Sequence, residues 1–75
     1  MTSPAATSPC FVVYANGRAI SRHGGLIAAC AIARDTAGRQ HHVAFRVERY
    51  TSDTTPSILE ATYKHDGQRL AAWMR

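Results

Sequence analysis

The pattern of apolar and polar positions divides this chain into short segments of period two and one long segment without alternation. Residues 10–15 alternate, with Phe11, Val13 and Ala15 on one side and Val12 and Tyr14 on the other, which predicts a strand. Asn16-Gly17 follows, and Asn-Gly between two β-like runs is the strongest short-range hairpin signal. The chain then returns as a short strand, Arg18 to Arg22, with Ile20 as its large apolar anchor. His23-Gly24-Gly25 breaks it. Leu26 to Ala33 is apolar without interruption, which predicts a central strand covered on both faces, although its alanines also suit a short helix.

Asp35-Thr36-Ala37-Gly38 reads as the next turn. Gln40 to Tyr50 is the clearest strand, with Val43, Phe45 and Val47 facing one way and His42, Ala44, Arg46 and Glu48 the other. Thr51 to Pro56 reads as a linker. Ser57-Ile58-Leu59-Glu60 fits a capping box with Pro56 before it, which predicts a helix start. A broad stripe of Ile58, Leu59, Thr62, Tyr63, Leu70, Trp73 and Met74 extends that helix and puts Trp73 in the core in preference to a partner anchor. Asp66-Gly67 interrupts the stripe as a tolerated Gly in a long helix, a break between two short helices or a second hairpin turn, with helix on both sides the expectation. The expected fold is therefore α+β: an antiparallel meander of three to four strands followed by a C-terminal helix packed on one face. Residues 10–75 form one small domain, and residues 1–9 read as a disordered tail.

Seventy-five residues bound the core. A chain of this size buries only about 60% of its unfolded surface, so it has little stability to spare for a strained pocket. It can gain stability from a partner or from a homodimer formed through an unpaired strand edge. Neither a signal peptide nor a stretch long enough for a membrane span is recognisable, which points to a cytoplasmic protein. Cys10 and Cys30 lie in apolar runs and read as reduced thiols, with a disulfide only if their strands meet.

Nine basic residues against five acidic give a net charge of +4, and eight of the nine are Arg. They are dispersed, which supports attraction to an acidic partner without defining a groove. The four histidines carry no ligand spacing, since His41 and His42 are adjacent and would point to opposite faces of a strand. No metal or other cofactor is expected, and although Ser21 and His23 are near in sequence, no oriented third group or oxyanion loop accompanies them.

The residues Val13-Tyr14-Ala15-Asn16-Gly17, Gly24-Gly25, Gly38 and Thr55-Pro56-Ser57-Ile58-Leu59-Glu60 support one family comparison. On these, Val13 to Ala72 resembles the N-terminal half of a ribonuclease H-like domain. The resemblance implies a metal-binding Asp at the end of the first strand and a metal-binding Glu at the start of the first helix. Those positions fall on Asn16 and Glu60. Asn16 lacks the charge that a pair of Mg²⁺ ions requires, so the resemblance implies a degenerate and truncated relative.

The residues point instead to a non-enzymatic binding protein that occludes a macromolecular partner, a protein or ribonucleoprotein with an acidic surface. A phage- or mobile-element-encoded inhibitor of a bacterial nucleoprotein or defence complex has this size and shape. Arg46, Arg49, Tyr50, His42 and Arg69 are the candidate contact residues, because Arg and aromatics dominate binding hot spots. The alternative is a small basic accessory or regulatory protein that binds DNA or RNA directly.

Overall fold

The computed structural model describes residues 9–75, so all but the last residue of the expected N-terminal tail lies outside the described residues. Five strands and one helix follow one another as β1 (Cys10–Ala15), β2 (Arg18–His23), α1 (Leu26–Arg39), β3 (Phe45–Tyr50), β4 (Ile58–His65) and β5 (Leu70–Met74). The strands form one antiparallel sheet in the order β2-β1-β3-β4-β5. α1 lies across one face, against β4, β1 and β3.

The α+β class and the antiparallel sheet agree with the sequence reading, but the expected three- to four-stranded meander with a C-terminal helix does not form. The sheet has five strands, β1 and β3 pair across an intervening helix, and the helix is in a different place. It sits between β2 and β3, and the chain ends in a hairpin instead of a helix. The run from Leu26, read as a central strand, is the start of α1. Leu26, Ala29, Cys30, Ala33 and Ala37 recur at helical spacing and supply the face that meets the sheet. Asp35 to Gly38, read as a turn, forms the last helical turns, where Arg39 pairs with Asp35 at 3.0 Å.

The second correction concerns Ser57 to Glu60. The expected capping box opens β4, whose backbone is paired by β3 on one side and β5 on the other. Ala61 and Tyr63 point to the helix and are buried, whereas Thr62 and Lys64 alternate to the opposite face. Glu60 is the extra residue of a β-bulge, since Val47 pairs with Ala61 and Glu48 with Leu59. Asp66-Gly67 is a hairpin turn: the Asp66 carboxylate accepts the N–H groups of Gln68 and Arg69 at 2.8 and 2.9 Å. Those two donors hold its carboxyl below the usual carboxylate range. Gly67 has φ +96, which suits a residue without a side chain.

The core lies between α1 and the inner sheet face, with Val13, Phe45 and Val47 as its largest fully buried side chains. Alanines on the helix let it sit close to the strands. Burial beneath α1, together with the adjoining Cys30 thiol, pushes the Tyr63 phenol up to about 12. Ile20, read as an anchor, is the bulged residue of β2 and is 45% exposed. Cys10 and Cys30 are free, one on the sheet and one on the helix.

The Asn-Gly turn matches its reading, with φ +50 at Asn16 and φ +85 at Gly17. It also does something local sequence does not reveal. Asn16 Oδ1 accepts the Ala44 N–H at 3.0 Å, and the Asn16 N–H donates to the Ala44 carbonyl at 2.8 Å. The turn thereby pins the start of β3. Asn16→Ala should cost about 2 kcal/mol, from a left-handed backbone without its polar side chain plus a lost hydrogen bond. Urea unfolding measures it, and Asn16→Asp, which keeps the acceptor, should cost less.

Candidate functional site

With α1 on one side, the other side of the sheet carries no element of the described chain. The register decides which side chains stand there. Tyr14 pairs with Arg46, Arg46 with Thr62, and Thr62 with Trp73, so four residues line up across β1, β3, β4 and β5. The next row places Lys64 opposite Ala71. On the β2 side, Val12 stands between Arg22 and Glu48.

This open face is mixed aromatic and cationic. The Arg46 guanidinium lies over the Tyr14 ring, 5.7 Å from its centroid, and also pairs with Glu48. Arg46 is thus held between an aromatic ring and a carboxylate. Trp73 is 49% exposed, which corrects its assignment to the core. A shallow groove of about 320 Å³ lies beside it. Small residues Ala44, Thr62 and Ala71 line it, together with Arg46, Lys64 and Trp73.

The five candidate contact residues do not form one patch. Arg46 and Tyr50 alternate along β3 onto the open face, where the Tyr50 hydroxyl donates to Asp53. That carboxylate raises the Tyr50 phenol above its ordinary value. Arg49 points to the opposite face. Its guanidinium lies 5.5 Å from the Phe11 ring centroid, and Nε stands 2.9 Å from Glu60 Oε2, unaligned for a hydrogen bond. The two groups therefore hold each other by charge at the buried Glu60 carboxylate.

His42 and Arg69 lie outside the strands. β3 begins at Phe45, not at Gln40, so His42 sits in the α1–β3 turn with φ +67. Its N–H donates to the His65 carbonyl at 2.7 Å. The His41 and His65 rings stack at 4.0 Å, and His65 Nδ1 accepts the Gly67 N–H at 2.9 Å. These contacts tie the α1–β3 turn to the β4–β5 turn, which contains Arg69. Both residues serve loop structure at one end of the sheet.

Lys64 and Thr62 are not among the candidate contacts, and Trp73 is weighed as an anchor but assigned to the core, although a signal for all three exists. Ala61 and Tyr63 alternate with Thr62 and Lys64, and Leu70 and Ala72 alternate with Ala71 and Trp73. Read with period two, that pattern places the three on one face.

The positions implied by the ribonuclease H-like resemblance have local roles. Asn16 binds Ala44, and Glu60 faces Arg49 from the middle of a strand. Among the described residues, no three His, Cys, Asp or Glu side chains come close enough to hold a metal ion. No helix among them is long and apolar enough to cross a membrane. Comparison with protein-family models, with curated proteins and with solved structures finds no match to this chain.

Proposed function

We propose that the protein is a non-enzymatic binding protein that occludes a macromolecule carrying negative charge, and that the open face of its sheet is the contact surface. The observation that carries this reading is the row Tyr14, Arg46, Thr62 and Trp73, displayed on a face that no element of the described chain covers. Five paired strands backed by α1 give these side chains a rigid base. Rigidity lowers the entropy lost on binding. Arg and Trp are the residue types that most often carry binding energy. The net charge of +4 favours an acidic partner.

A charge-matched pair of double variants tests the location. Arg46→Ala with Lys64→Ala removes two cations from the open face; Arg34→Ala with Arg39→Ala removes two from the exposed side of α1. The net charge is the same in both. On a heparin column the first pair should elute at clearly lower salt than the second. Equal elution, or the reverse order, overturns the assignment to the open face.

A further inference from the structure

We infer that the macromolecule received on the open face is a single-stranded nucleic acid, with a base seated against Trp73 and phosphates reaching Arg46 and Lys64. This inference rests on the open-face reading and supplies its ligand chemistry. The groove is the decisive feature. Its small lining residues Ala44, Thr62 and Ala71 leave a shallow apolar recess with the half-exposed indole at its edge. Two cations, Arg46 and Lys64, line the same recess.

That combination selects among polyanions. An acidic peptide can pair with the cations, but its backbone carries no ring, and it brings one to the indole only where an aromatic side chain falls in place. A duplex offers phosphates while its ring faces stay stacked inside. A single strand alternates phosphates with exposed ring faces, and bases stack on aromatic side chains largely regardless of sequence. The dimensions agree. Tyr14 and Trp73 are three strand spacings apart, about 14 Å. Arg46 stands between them, already placed over the Tyr14 ring. Glu48 is the one carboxylate on the strands of this face, and it already pairs with Arg46.

The chain contains a single Trp, so its fluorescence reports on this groove alone. Titration with a ten-nucleotide oligo(dT) or oligo(U) at low salt is expected to quench Trp73. A duplex of equal length and polyglutamate should leave it little changed. With a labelled oligonucleotide read by anisotropy, Trp73→Ala should weaken binding about 5- to 150-fold, and Trp73→Phe should restore part of it. Arg46→Ala and Lys64→Ala should each reduce the slope of log affinity against log salt by about 0.7.

The failures are distinguishable. Quenching by polyglutamate that depends on Arg46 and Lys64, without oligonucleotide binding, overturns the single-strand inference and leaves the open-face reading standing. Equal affinity for duplex and single strand also overturns the inference alone. No Trp73 response to any of the three, or oligonucleotide binding that is lost in Arg34→Ala with Arg39→Ala and unaffected by Trp73→Ala, overturns both.

Discussion

Phe45→Ala is expected to lower the unfolding free energy by about 3–5 kcal/mol. Phe45 is fully buried at the start of the central strand β3, between Ala15 of β1 and Tyr63 of β4 in the core that faces α1. Removing its ring deletes the largest fully buried side chain and leaves a cavity that small alanines cannot fill. A 75-residue domain has roughly 4–11 kcal/mol in total, so the variant should be largely unfolded or close to it. Ile27→Ala is the informative contrast. Ile27 is as apolar by type, but it is 86% exposed on α1, and its truncation should change stability by less than about 0.5 kcal/mol. Urea unfolding of both variants tests whether the core is where the fold puts it. A costly Ile27→Ala with a mild Phe45→Ala would contradict the orientation of the helix.

The second large effect concerns the distance between α1 and the sheet. Ala29, Ala33 and Ala37 are fully buried at successive turns, so the helix approaches the strands with only methyl groups between. Ala33→Leu should be destabilising by about 1–3 kcal/mol, because the added atoms have no space unless the helix lifts. Ala31→Leu, on the exposed side of the same helix, should be close to neutral, since Ala and Leu have similar helix propensity. A melting comparison of the two separates packing from propensity. Equal melting temperatures would mean that α1 does not rest on Ala33.

How far the sequence could be read depended on the range of the forces that decide each element. β1, its turn and β2 are legible because the determinants are local: alternation in 10–15, and two adjacent residues able to take positive φ. α1 carried its own signal in the spacing of Leu26, Ala29, Cys30, Ala33 and Ala37. Continuity of apolar residues was the weaker guide there, because Ile27, Ala28, Ala31 and Ile32 remain exposed in the described chain.

β4 was not legible in the same way. Ser57-Ile58-Leu59-Glu60 satisfies a helix-start pattern, yet Ile58 and Leu59 pair with β3 on one side, Glu60 bulges between them and Ala61, and Ala61 to His65 pair with β5 on the other. Those pairings join segments distant in sequence, and a local motif cannot weigh them. Glu60 consequently faces Arg49 instead of capping a helix. The candidate site followed the same rule. Arg46 and Tyr50 could be assigned to a common face from alternation within one strand. Alternation within the last segment could put Trp73 on a face, but only the β4–β5 register set it opposite Thr62 and so in line with Arg46.

By itself the sequence determined the hairpin at Asn16-Gly17, the alternating faces of β1 and β3, the modest size of the core and its excess of arginine. All of these depend on neighbours along the chain or on composition. Only the tertiary structure decided that the helix covers the side of Phe11, Val13, Phe45 and Val47, and so left Tyr14, Arg46, Lys64 and Trp73 together on the other. The physical reason is that strand register and helix placement are set by burying one shared apolar face, and a surface of contact is what that burial leaves over.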